Sequence, residues 1–151
     1  MVDQQSNSPV MGLRITITTN KKRQPPSMMI SRKLIHVLDD DLSVLGAVER
    51  LLKARGFDVE TFHTIDSFVE RANLRAPTCL VLDINLNGAS GIELKRKLNA
   101  AGISPPVIFI TARDEDVTRR AALSAGCVAY LSKPFSSKDL VDAIEASQEG
   151  R

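Results

Sequence analysis

The 151-residue chain has no tryptophan, one tyrosine, two cysteines and two histidines. Each scarcity removes a class of chemistry. Cys79 and Cys127 lie inside apolar segments without metal-ligand spacing, which argues against a cysteine-ligated metal or a disulfide framework and leaves two buried, reduced thiols. His36 falls within an apolar run and His63 just after another; neither has a ligand or triad partner in sequence, so both read as structural and Ser-His-Asp catalysis has no support. No stretch approaches the roughly 18 to 20 consecutive apolar residues of a membrane span, and no basic start leads into an apolar signal core. The expectation is a soluble cytoplasmic chain with no membrane partner.

Excess charge of one sign is also small, 20 Lys and Arg against 18 Asp and Glu for a net +2, but its distribution is uneven. Residues 1–32 hold Arg14, Lys21, Lys22, Arg23 and Arg32 against Asp3, a net +4 that leaves −2 for the remainder. With 4% aromatic residues and no basic stripe beyond that segment, direct nucleic-acid binding is not expected. Residues 1–32, rich in Gln, Ser, Asn, Pro and Lys, read as a flexible basic leader or linker. Within them "LRITITT" alternates like a short strand, which cannot form a core alone. Residues 33–151 read as one domain.

From Lys33 onward, short apolar runs alternate with segments of helical period, the pattern of βαβ units on a parallel sheet. The runs are 34–38, 57–62, 79–83, 106–111 and 128–132; helical stripes cover 42–55, 65–73, 91–101, 115–125 and 137–148. Gly56, Gly102 and Gly126 stand between a helical segment and a strand, as helix C-terminal caps do. Asp41 can cap the first helix, and Ser136 or Ser137 the last. The fold class that follows is α/β, a doubly wound five-stranded parallel sheet of flavodoxin-like order 2-1-3-4-5 with helices on both faces.

In such sheets ligands bind beyond the carboxyl ends of the strands. The first strand ends in Asp39, Asp40 and Asp41, the third in Asp83 and the fourth in Thr111, while Lys133 follows the fifth. Each residue taken singly has an ordinary reading: Asp41 as helix cap, Asp83 as turn former, Thr111 as loop hydroxyl, Lys133 as solvated lysine. Their coincidence at one sheet end points to chemistry. Clustered carboxylates coexist only if a positive partner offsets them or a pKa rises, and a hard cation such as Mg²⁺ suits an all-oxygen set. Such a set suits phosphoryl transfer, in which a carboxylate can be the nucleophile. A flavin carrier of the same fold is the competing class, but three aspartates after the first strand would repel the flavin phosphate.

In order and position, "HVLDDD", "LVLDINLNGASGIEL", "IFITA" and "YLSKPF" make residues 33 to 148 resemble the receiver domain of two-component response regulators. The segment "DVTRRAALSAGCVAYLSKPF" is most like receivers that precede a helix-turn-helix domain. The resemblance implies that Asp83 accepts a phosphoryl group from a sensor histidine kinase or phosphotransfer protein, with Mg²⁺ held by Asp39, Asp40, Asp83 and the backbone carbonyl of Asn85. It implies that Thr111 and Lys133 contact the phosphoryl oxygens and that Tyr130 is an aromatic switch. It further implies a switched surface for a downstream protein target, and a homodimer through the face from the fourth helix to the fifth. Activity would be limited to self-phosphorylation and autodephosphorylation, in a stand-alone receiver with no output domain in this chain. Asn87 stands where the family usually has proline, which predicts a less rigid loop; Gly91 matches the family glycine.

Overall fold

The computed structural model describes residues 4–10, 13–19, 33–72 and 77–149. Strands β1 (Gln4–Val10) and β2 (Leu13–Thr19) pair antiparallel, with Val10 opposite Leu13. The alternation of "LRITITT" therefore does mark a strand, and its partner is a polar segment with no apolar period. "KKRQPPS", read as linker, lies outside the described residues.

The remaining elements are β3 (Leu34–Leu38), α1 (Leu42–Ala54), β4 (Asp58–Phe62), α2 (Ile65–Arg71), β5 (Cys79–Asp83), β6 (Asn85–Leu86), β7 (Ala89–Ser90), α3 (Gly91–Ala100), β8 (Val107–Thr111), α4 (Asp116–Ala125), β9 (Ala129–Ser132) and α5 (Ser137–Glu149). Five strands form one parallel sheet in the order β4-β3-β5-β8-β9, which is 2-1-3-4-5 counted within the domain. Every residue of β5 and β8 is buried, because helices cover both faces of the central strands. The edge strand β4 alternates instead, with exposed Asp58 and Glu60 on one side.

Alternation within each strand divides the core in two. Ile35, Val37, Cys79, Val81, Ile108 and Ile110 pack with Leu45, Val48, Leu52, Leu140 and Ile144 of α1 and α5. Leu38, Leu80, Leu82 and Phe109 pack on the other face with Phe68, Leu94, Leu98 and Ala122 of α2, α3 and α4. His36 belongs to that second face, edge-on to the Phe62 and Phe68 rings, with Nε2 3.2 Å from Glu60 Oε1. It is a core side chain, as expected. Cys79 is likewise fully buried, and burial pushes its thiol up to about 12.

The helix caps follow local chemistry. Asp41 accepts from the Ser43 and Val44 N–H groups, satisfying two of the donors that a helix start leaves without partners. Ser136 does the same for Asp139 at α5. Gly56, Gly102 and Gly126 all have positive φ, as their positions after helices predict.

Candidate functional site

Register brings the acids together. Val37 lies opposite Val81 and Leu38 opposite Leu82 in the β3–β5 pair, so the next step up the ladder sets Asp39 beside Asp83 on the same face. A slip of one residue would turn one carboxylate to the far side of the sheet. One carboxylate oxygen from each of Asp39, Asp40 and Asp83 lies within 4.8 Å of the others. Asp39 is wholly buried and Asp83 is 3% exposed, while Asp40 is more open to solvent.

Lys133 reaches into this cluster from the β9–α5 connection. Its Nζ donates to Asp39 Oδ2 at 2.7 Å and to Asp83 Oδ2 at 3.4 Å. Backbone donors add to it: Asp41 N–H on Asp39 Oδ1 at 2.9 Å and Asn85 N–H on Asp83 Oδ1 at 3.3 Å. Burial would lower the Lys133 ammonium, but the two carboxylates outweigh it and hold it above its usual range. Asp83 moves the other way from an ordinary carboxyl. Burial and then the Asp39 charge push it up to about 7, against the opposing pull of Lys133. One ammonium for three carboxylates leaves an excess of negative charge, and every free ligand atom is a hard oxygen. The donor set fits a divalent oxygen-seeking cation.

Thr111 ends β8, fully buried, but its hydroxyl does not bond to Asp83. It donates to the Arg113 carbonyl at 3.1 Å and accepts from the Arg113 N–H at 3.0 Å. The strand ends are tied instead through the backbone, where Lys133 N–H donates to the Thr111 carbonyl at 2.7 Å. Tyr130 lies on β9 opposite Phe109, two residues back from Ser132, which faces Thr111. The structure thus brings Asp39, Asp40, Asp83 and Lys133 into one cluster and leaves the Thr111 hydroxyl and Tyr130 on its flank.

The loop after Asp83, where the family proline is missing, forms a tight hairpin. Asn85 and Leu86 pair with Ser90 and Ala89 as β6 and β7, a hairpin closed by Asn87 and Gly88 with φ of 54° and 91°. Asn-Gly is the dipeptide favoured where both turn residues need positive φ, and was the available sign of this hairpin. Proline, locked near −65°, could not take the Asn87 conformation. Gly91, the first residue of α3, is needed for a different reason. Its N–H bonds to the Ile84 carbonyl at 2.8 Å, and a Cβ there would overlap the Asp83 carbonyl oxygen.

Residues 35–145 match the model of the response regulator receiver domain. The chain belongs to that family. Among relatives of this receiver, the response regulator protein TodT of Pseudomonas putida is 35% identical over 114 residues, covering 76% of this chain and 50% of its own. The receiver spans about half the length of the curated relatives it matches. The solved response regulator StyR is 39% identical with a TM-score of 0.72, over 79% of this chain and 60% of that one. A response regulator from Burkholderia pseudomallei, solved with a phosphorylated aspartic acid, a calcium ion and citrate, is 25% identical with a TM-score of 0.68, over 78% and 71% of the two chains. The receiver is a signalling domain of two-component systems. Among its described residues no helix is long and apolar enough to cross a membrane.

Proposed function

We propose that Asp83 is the phosphoacceptor of this receiver and takes its phosphoryl group from a phosphohistidine on a sensor histidine kinase or phosphotransfer protein. The observation that carries this reading is the cluster itself. A buried carboxylate stands within 4.8 Å of two others and 3.4 Å from a lysine ammonium, at the sheet end where such folds bind ligands. An Asp83 carboxylate oxygen attacks phosphorus, the phosphorus–nitrogen bond breaks, and the imidazole leaves with its electron pair and keeps or gains a proton. Mg²⁺, held by Asp39, Asp40, Asp83 and the Asn85 carbonyl, would offset charge on the phosphoryl oxygens. The B. pseudomallei relative, with its phosphorylated aspartic acid and calcium ion, supports both the acceptor and a divalent site.

Lys133 is placed to leave Asp83 and meet a phosphoryl oxygen, since its shorter bond is to Asp39. Thr111 contacts a second phosphoryl oxygen after giving up its Arg113 bonds, and Tyr130 then repacks as the aromatic switch. The added charge of about −1.5 to −2 drives this change. The altered α4–β9–α5 surface meets a downstream protein or a second copy of the receiver, in the cytoplasm. Besides accepting the group, the domain catalyses only its own phosphorylation and dephosphorylation.

Intact mass after incubation with a small phosphodonor tests the reading. A phosphate adduct is expected on the wild type with Mg²⁺, absent with chelator and absent in Asp83→Asn. No adduct, under conditions where a control receiver reacts, would refute the function. An adduct surviving in Asp83→Asn would refute the acceptor.

A further inference from the structure

The flank of the site carries a cluster of side chains that the phosphoryl chemistry does not use. Asp114 Oδ2, in the β8–α4 loop, accepts from Arg119 Nη2 of α4 at 2.6 Å and from the Ser132 hydroxyl of β9 at 3.1 Å. Three segments meet on one carboxylate oxygen. The Arg119 guanidinium also lies over the Tyr130 ring, 4.7 Å from its centroid, in the geometry of a cation–π contact. The Arg119 bond holds the Asp114 carboxyl below its usual range, as a formed ion pair requires.

The same carboxyl reaches Tyr130. Its ring packs against the core face built from Leu82, Phe109 and Ala122, and its hydroxyl is shut off from solvent beside Asp114; burial and then the Asp114 carboxyl push the phenol above its usual range. Asp114 thus meets the hydroxyl while its ion-pair partner covers the ring. The Arg119 guanidinium is the charged group that covers it.

The same loop is tied to the reacting centre. Both hydrogen bonds of the Thr111 hydroxyl go to the backbone of Arg113, the neighbour of Asp114. Turning that hydroxyl toward a modified Asp83 breaks the pair and frees the loop that presents Asp114 to Arg119. Loosening Arg119 in turn uncovers Tyr130.

We propose that Asp114, Arg119 and Ser132 form a clasp over Tyr130, and that Arg119, as a positioning residue, sets the balance between the resting and modified conformations. The proposal deepens the reading of Asp83 as phosphoacceptor and rests on it for the second half of its consequence. Because modification weakens the clasp, weakening the clasp must favour binding of a phosphoryl analogue by the same factor.

One tyrosine and no tryptophan make the ultraviolet fluorescence of the full chain a report on Tyr130 alone. Acrylamide quenching is measured on the unmodified protein and during titration with beryllofluoride at fixed Mg²⁺. Arg119→Ala should raise the quenching constant of the unmodified protein about 2- to 5-fold, toward the value of the analogue-bound wild type. It should also lower the midpoint beryllofluoride concentration by a similar factor. Asp114→Asn should act in the same direction. Arg119→Lys, which keeps the charge without the planar stack, should fall between. Arg120→Ala, an exposed neighbour on α4, should change neither reading. An unchanged quenching constant in Arg119→Ala, an unmoved midpoint, or equal changes in Arg120→Ala would overturn the clasp. Absence of a phosphate adduct on the wild type by intact mass would overturn the acceptor assignment instead, while quenching of the unmodified protein still decides whether Arg119 covers Tyr130.

Discussion

Removing the acceptor carboxylate is expected to stabilise the metal-free protein, although Asp83 is buried and hydrogen-bonded. Its carboxyl is pushed from 3.8 to about 7 by burial and by Asp39, so at pH 8 the folded chain carries a charge that the unfolded chain bears more easily. At about 1.4 kcal/mol for each pH unit, the ceiling on this penalty is about 4 kcal/mol. That ceiling already contains the pull of Lys133, which retains its shorter bond to Asp39, and relaxation of the folded chain around the charge lowers it further. The expected net gain is therefore about 1 to 3 kcal/mol, or roughly 4 to 12 °C in Tm for a domain of this size. The pH dependence follows in sign. The folded carboxyl keeps its proton to higher pH than the unfolded one, so this stabilisation is complete below about pH 4, fades as pH rises through about 7, and is flat above. Thermal melts in EDTA at pH 5 and pH 8 should show the Tm of Asp83→Asn gaining on the wild type across that interval. Added Mg²⁺ at pH 8 should raise the wild type and close most of the gap, because binding to the folded state alone is stabilising. A lower Tm for Asp83→Asn in EDTA at pH 8, or a difference from wild type that does not vary with pH, would refute the electrostatic reasoning.

Three further outcomes follow from particular contacts. Gly91→Ala forces a Cβ into the Asp83 carbonyl oxygen and against Leu82, so it should cost about 1 to 3 kcal/mol in denaturant melts and slow adduct formation by displacing the acceptor strand end. Asp41→Ala, which removes a helix cap, should cost about 0.5 to 2 kcal/mol while keeping Mg²⁺-dependent phosphorylation, whereas Asp40→Ala should lose the phosphorylation, both read by melts and intact mass. Asn87→Pro, which restores the usual family residue, should destabilise by more than about 1 kcal/mol because φ of 54° is closed to proline; an unchanged or higher melting midpoint would show that the hairpin refolds around it.

The five strands of the parallel sheet and the five helices from Leu34 onward were legible because both faces of the sheet are covered and apolar runs mark its strands, while helical periods and caps such as Asp41 mark what lies between. The candidate site was legible as a set of strand ends, since the fold class itself implies that Asp39, Asp40, Asp83, Thr111 and Lys133 share one edge. The β6–β7 hairpin escaped notice because two-residue strands have no period, and only Asn87-Gly88 announced it. The pairing of β2 with Gln4–Val10 escaped for a related reason: the partner has no apolar alternation to read.

The sequence alone therefore determined the five strands of the parallel sheet and the five helices to within two residues, the acid, hydroxyl and lysine inventory and the end of the sheet where they collect, because hydrophobic period and capping act within a few residues. Tertiary structure decided which atoms pair. The β3–β5 register placed Asp39 beside Asp83, Lys133 settled closer to Asp39, and Arg119 came to rest on Tyr130. Those choices depend on distances between segments up to 94 residues apart, which the packing of helices on the twisted sheet sets and no local pattern encodes.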